Sequence, residues 1–157
     1  MQTLKAILAE HPFFAGCAPR FMQLMTGCAS NVRFEAGEYI FRENEDASHF
    51  YLIRQGNVAL ETWAAQRGPI TIETIEAGEV LGWSWLFSPY RWHFSARALE
   101  PTRAIALDGV CLRSKGESDH DLGYELVKRV AQIMMQRLQA TRLQLLDVYG
   151  VPPRGVR

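Results

Sequence analysis

The strongest constraint on the fold is a run of short, alternating segments, separated by turns, between residues 29 and 107. Val32 and Phe34 alternate with polar neighbours, which is the two-residue period of a strand with one buried face. Gly56 lies in a Gln-Gly-Asn turn between two apolar segments, which is typical of a hairpin. Strands this short, with turns about every 8–12 residues, predict an antiparallel barrel or sandwich.

Helical patterns precede the strands. An amphipathic stripe predicts a helix over residues 3–10, and His11-Pro12 ends it because the residue before a proline is driven out of the helical conformation. Pro19 begins a second predicted helix that ends near Gly27.

The last part of the chain has the pattern of one long helix. Residues 118–121 supply a cap and acidic side chains for its start, and Gly150, before two prolines, is its stop. A stripe with the 4-3 spacing of a coiled-coil seam comprises Val127, Ala131, Met134, Leu138, Thr141, Leu145 and Val148. A second stripe, confined to the first half, comprises Leu122, Leu126, Val130 and Ile133.

One helix cannot bury both stripes against a single partner. We therefore expect the second stripe to pack on the protein's own barrel and the heptad stripe to meet a second copy, which would make a homodimer. The alternative is one broad, core-facing stripe in a monomer.

Composition limits the class of protein. The 157 residues include 17 Lys and Arg and 17 Asp and Glu, and this balance argues against broad nucleic-acid binding. There is no run of 18 apolar residues and no signal-peptide core at the N-terminus, so we expect no membrane contact and a cytoplasmic location. Cys17, Cys28 and Cys111 are widely spaced, which favours reduced, buried or half-buried thiols over a metal or iron–sulfur site.

Residues 77–98 combine a turn, a very short strand, a glycine and a stretch that can form one turn of helix. After Gly82, the backbone amides of Trp83, Ser84 and Trp85 could converge on an anion.

Recurring glycines carry a family resemblance: Gly37 in Ala-Gly-Glu-Tyr-Ile-Phe, Gly56 in Phe-Tyr-Leu-Ile-Arg-Gln-Gly-Asn-Val, Gly78 and Gly82. With the strands between them and the paired Phe13-Phe14, they resemble cyclic-nucleotide-binding domains of the catabolite-activator/FNR superfamily. The resemblance implies a mainly β fold with helices: a double-stranded antiparallel β-helix, or jelly-roll barrel, flanked by N-terminal helices and a long C-terminal helix.

The resemblance also divides the chain. It implies an N-terminal helical segment (1–28), a barrel (29–109) whose phosphate-binding cassette spans 78–98, and a C-terminal helical segment (110–150). Only nine residues follow Val148, too few for a helix-turn-helix, so we expect a stand-alone sensor without direct DNA binding.

The cassette departs from the family pattern Gly-Glu-Leu-Ala-Leu, because this chain has Gly82-Trp83-Ser84-Trp85-Leu86. In the family the glutamate accepts a hydrogen bond from the ribose 2′-hydroxyl, and a cassette arginine pairs with the cyclic phosphate. Trp83 stands at the glutamate position, and an indole only donates. Counting back from Ala96-Arg97-Ala98 places Trp92 at the arginine position, with Arg91 one residue early.

These substitutions predict poor recognition of cAMP and cGMP, and they leave alternatives open. The tryptophans either fill the pocket, giving a structural or interaction protein, or line it for another flat ligand; weak nucleotide binding through Arg91 is a third interpretation. The candidate ligand-binding residues are Gly82, Trp83, Ser84, Trp85, Arg91, Trp92, His93 and Ser95. We expect Arg97 in an ion pair and His93 half-buried and hydrogen-bonded.

No catalytic triad, metal set or phosphate loop is evident, so we expect a regulatory module and not an enzyme. No cofactor is expected beyond a cyclic nucleotide or another small molecule. The expected partners are a small-molecule ligand of unknown identity and a second copy through the C-terminal helix, with another protein as a further candidate.

Overall fold

The structure is a computed structural model that describes residues 3–148. Its eight strands are β1 (Ala29–Phe34), β2 (Tyr39–Phe41), β3 (His49–Gln55), β4 (Asn57–Ala64), β5 (Gly68–Glu76), β6 (Val80–Leu81), β7 (Ser95–Ala98) and β8 (Thr102–Asp108). Its helices are α1 (Leu4–Glu10), α2 (Pro19–Thr26), α3 (Gly109–Ser118) and α4 (His120–Val148), with 3₁₀ turns at Pro12–Phe14 and Ser84–Leu86.

The strands form two four-stranded antiparallel sheets, in the orders β1-β8-β3-β6 and β2-β7-β4-β5. The predicted fold class is confirmed, including the two N-terminal helices and the long C-terminal helix. The division of the chain at residues 28 and 109 stays a prediction.

Alternation along the strands separates two apolar layers. On β3, Phe50 and Leu52 face the helices, while Ile53 faces the interior between the sheets. On β8, Ile105 faces the helical layer and Ala104 the interior. This is the two-residue period of a strand that is buried on both faces, and it creates a barrel interior distinct from the helical layer outside it.

The helix α4 carries both predicted stripes, and they have different surroundings. Leu122, Leu126 and Val130 are buried in the helical layer, as predicted. The heptad stripe is exposed in the single chain, with Val127 at 49% and Leu138 at 54% exposure. The predicted stop at Gly150 lies outside the described residues.

A disulfide joins Cys28, after α2, to Cys111, in the first turn of α3. The expectation of three reduced thiols is therefore wrong for these two residues. The α carbons lie 5.8 Å apart because the end of α2 packs beside α3, and that separation suits a disulfide. Cys17 is a free thiol, and burial raises its pKa. Disulfides are typical of oxidising compartments, so the cytoplasmic location stays a prediction.

Candidate functional site

The cassette begins at Gly82, which has φ +84°, a conformation that glycine adopts without strain. The helical turn predicted after it is the 3₁₀ turn at Ser84–Leu86. A Cβ atom at Gly82 would lie 2.3 Å from a ring carbon of Trp92. The glycine is therefore required both for the turn and for the close approach of that indole.

Trp92 occupies the barrel interior. Its side chain is 4% exposed, and its ring stacks on Phe41 with centroids 3.7 Å apart and planes 7° apart. The surrounding cluster includes Leu60, Leu81 and Ala96, which come from strands of both sheets. The protein's own aromatic pair thus occupies part of the barrel interior behind the cassette.

Backbone pairing explains why Trp92 points inward. The Trp92 amide donates to the Glu45 carbonyl at 3.0 Å, and the Asn44 amide donates to the Trp92 carbonyl at 2.9 Å. Arg91 forms a β-bridge with Asp46. Neighbours in an extended, paired segment point to opposite faces, so an inward Trp92 requires an outward Arg91.

Arg91 contacts the loop outside the barrel. Its guanidinium donates to the Asn44 carbonyl at 2.9 Å and lies 3.4 Å from the Asp46 carboxylate, and its side chain is 56% exposed. This exposed ion pair is worth little in stability. Arg91 precedes the family's arginine position by one residue. This offset places its side chain on the outer face of the segment, opposite to Trp92.

Trp83 lies at the edge of the helical layer and contacts α4. The Arg137 guanidinium is 4.9 Å from the centre of the Trp83 ring, which is cation–π geometry. Arg137 also donates to the Val80 carbonyl, and its Nε is 3.7 Å from a Glu73 carboxylate oxygen. Burial lowers the pKa of Arg137, while the Glu73 and Glu79 carboxylates oppose that shift. Arg137 thereby joins α4 to the cassette and to β5 and β6.

Trp85 belongs to the helical layer, apart from the barrel interior. It is fully buried and packs against Phe50, with ring centroids 5.4 Å apart. Its carbonyl accepts a hydrogen bond from Arg113 on α3. Its indole Nε1–H is buried and has no hydrogen-bond partner within the described part of the chain.

The other predicted ligand-binding residues, Ser84, Ser95 and His93, do not form one site with the tryptophans. Ser84 is buried in the turn, and the Ser95 hydroxyl accepts from the Glu43 amide at 2.9 Å. His93 is exposed, and within residues 3–148 no group bonds to its ring, so its expected half-buried state is wrong. It lies in the bend between Trp92 and β7, on the surface of the protein.

Arg97 is in an ion pair, as predicted. Its guanidinium donates to Glu61 at 2.7 and 3.1 Å, and Tyr39 donates to the same carboxylate at 3.1 Å. Glu61 is only 3% exposed, and its hydrogen bond to Arg97 raises the pKa of the arginine. This carboxylate is satisfied within the sheet and is not free for a ligand.

Arg137 was not identified from the sequence, although a signal exists. It lies four residues after Ile133 and continues the stripe of α4 that faces the barrel. A charged residue on a buried stripe indicates a specific partner.

Two classes of feature are absent from the described residues. No helix among them is long and apolar enough to cross a membrane. Across positions 3–148, no three His, Cys, Asp or Glu side chains are arranged to hold a metal ion.

Solved structures share this fold. A protein from Geobacter metallireducens, described as a candidate cyclic nucleotide-binding protein, is 28% identical over 88% of this chain and 99% of its own, with a TM-score of 0.77. The catabolite activator protein of Thermus thermophilus is 24% identical over 88% of this chain and 63% of its own, with a TM-score of 0.67. The regulatory domain of Toxoplasma gondii PKA, solved with cAMP, is 14% identical over 71% and 42%, with a TM-score of 0.61.

No curated protein sequence matches the chain. The model of the cyclic nucleotide-binding domain family matches residues 31–119, which is more than half of the chain. The protein therefore belongs to the cyclic nucleotide-binding domain family.

Proposed function

We propose that this protein is a regulatory domain that does not use cAMP or cGMP as its effector and that acts through α4. The observation that carries the proposal is the burial of Trp92 at the position of the family's phosphate-binding arginine, stacked on Phe41 and pressed against Gly82. A cyclic phosphate there would have to displace a buried indole, and the neighbouring Arg91 is already paired with the Asn44 carbonyl and the Asp46 carboxylate.

The second support comes from the ribose side. Trp83 replaces the glutamate that accepts the ribose hydroxyl, and Arg137 covers its ring. Loss of the charged pair and of the matched hydroxyl acceptor would weaken nucleotide binding by roughly 10³-fold or more. Trp92 contacts Phe41 and Trp83 contacts Arg137, so both indoles are already engaged within the protein.

Calorimetric titration with cAMP and cGMP tests this proposal. We expect no saturable heat up to about 1 mM nucleotide, which corresponds to a free energy weaker than about 4 kcal/mol. Micromolar binding that Arg91→Ala abolishes would overturn the proposal. Arg67→Ala removes an exposed arginine on the β4–β5 hairpin and is the matched control, which should leave the titration unchanged.

We also propose that the output surface of α4 is its heptad stripe and that it pairs with a second copy. The support is the exposure of Val127, Met134, Leu138 and Leu145 on one side of the helix, while the other stripe is already buried. Sedimentation equilibrium should show a dimer that Leu138→Glu dissociates. Leu143→Glu, equally exposed but off the stripe, should leave the dimer intact; a monomeric native protein would refute this part.

A further inference from the structure

A cleft outside the barrel lies between the 3₁₀ turn of the cassette, α3 and α4. Its volume is about 490 Å³, within the range of small-molecule sites. Trp85, Leu86, Leu112 and Val127 give it largely apolar walls. Gly116 and Gly123 also line it, and they allow α3 and α4 to approach closely, since a Cβ at Gly123 would lie 2.8 Å from the Gly116 carbonyl oxygen.

The cleft wall contains an unused hydrogen-bond donor. Trp85 lines the cleft, and its buried Nε1–H has no acceptor within the described part of the chain. A buried donor without an acceptor typically costs about 1–3 kcal/mol. A ligand oxygen that accepted a hydrogen bond from this N–H, once the fully buried indole had moved towards the cleft, would recover that cost.

The same wall contains a cation without a counter-ion. Arg113 lies over the Tyr90 ring, 3.9 Å from its centre, and donates one hydrogen bond to the Trp85 carbonyl. Among residues 3–148, no carboxylate forms an ion pair with it; Glu117, one helical turn away, is exposed and lies beyond ion-pair distance. An arginine braced by an aromatic ring retains donors suited to a carboxylate.

We propose that this cleft binds a small aromatic carboxylic acid. The carboxylate pairs with Arg113 and accepts a hydrogen bond from the Trp85 Nε1–H, and the ring packs on the apolar walls formed by Leu86 and Leu112. The site is separate from the barrel interior and does not depend on the proposed loss of nucleotide recognition. Because the cassette, α3 and α4 each contribute a wall, such a ligand would bridge all three.

The test is a titration of the ¹⁵N-labelled full chain with 1-naphthoate, following the indole N–H resonances of the four tryptophans. The Trp85 signal is assigned by Trp85→Phe. We expect it to shift saturably, with a Kd of about 0.1–1 mM for a ligand of this size. Trp63, 69% exposed on the opposite sheet, is the internal control and should not move.

Two comparisons test the ligand class. Arg113→Gln should weaken naphthoate binding by roughly tenfold or more, and Arg113→Lys, which keeps the charge, should weaken it less. Arg67→Gln should have no effect. The neutral 1-naphthamide should bind at least about tenfold more weakly than the acid.

The inference is overturned if the Trp85 signal stays fixed up to about 10 mM naphthoate, a concentration well above the expected Kd. Equal affinities of acid and amide, or unchanged affinity in Arg113→Gln, would also overturn it. Spectra with cAMP keep the two proposals distinguishable. Movement of the Trp83 and Trp92 signals by nucleotide would refute the proposed function and leave this cleft untouched.

Discussion

Replacing Trp92 with alanine tests whether the barrel interior depends on this indole. The side chain is 4% exposed, so folding buries nearly all of its surface. A buried tryptophan removes roughly 150–250 Å² from water, worth about 4–6 kcal/mol at 25 cal/mol per Å² as an upper bound. Measured truncations of buried aromatic residues cost about 3–5 kcal/mol. We therefore expect Trp92→Ala to lower the free energy of unfolding by about 3–5 kcal/mol.

The assay is urea denaturation followed by far-ultraviolet circular dichroism. The midpoint should fall while the m-value stays unchanged, since a change in m would indicate an altered unfolded or native state. Trp63→Ala is the matched control, because Trp63 is 69% exposed, and it should cost less than about 1 kcal/mol. If Trp92→Ala costs no more than Trp63→Ala, the indole is not a core residue and the argument for a filled barrel fails.

Two further predictions concern the glycine turn and a buried histidine. Gly82→Ala should destabilise the fold by more than Gly78→Ala in the same denaturation assay; both glycines have positive φ, but a Cβ at Gly82 would strike the Trp92 ring at 2.3 Å whereas one at Gly78 has its nearest neighbour at 3.7 Å. Equal losses of unfolding free energy in the two variants would show that backbone strain alone matters and that the contact with Trp92 does not. Burial lowers the pKa of His11 from 6.5, its Nδ1 accepts from the Phe13 amide at 3.2 Å, and its Nε2 faces the Ile53 carbonyl at the same distance. As the pH falls, His11 is therefore protonated in the unfolded chain before it is protonated in the folded protein. The stability contributed by the neutral, buried imidazole is complete above pH 6.5 and is lost as the pH falls towards the lowered pKa of the folded protein. His11→Asn keeps the acceptor and should flatten the decline between pH 7 and 5, whereas an unchanged profile would assign the decline to other groups.

The strand pattern and the turns could be predicted from the sequence because they are local. Alternation around Val32 and Phe34 marks β1, and glycine is the residue that tolerates the positive φ found at Gly37 and Gly56. The two stripes of α4 were separable for the same reason, since the helical period determines which residues share a face.

The direction of the cassette side chains could not be predicted from the sequence. Whether Trp92 or Arg91 faces the interior depends on pairing with Asn44 and Glu45, more than 40 residues away in the chain. The contact of Arg137 with Trp83 likewise depends on where α4 crosses the cassette. Such long-range register is a property of the assembled sheets.

The disulfide between Cys28 and Cys111 also has a mechanical consequence. The cysteines are separated by 83 residues, and all eight strands lie between them in the chain, while α1 and α4 lie outside this covalent loop. When the two ends of the chain are pulled, the covalent path passes through the sulfur–sulfur bond and bypasses the barrel. Reduction of the disulfide would let the loop between the cysteines unravel and lengthen the pulled chain by roughly 290 Å, at about 3.5 Å per extended residue.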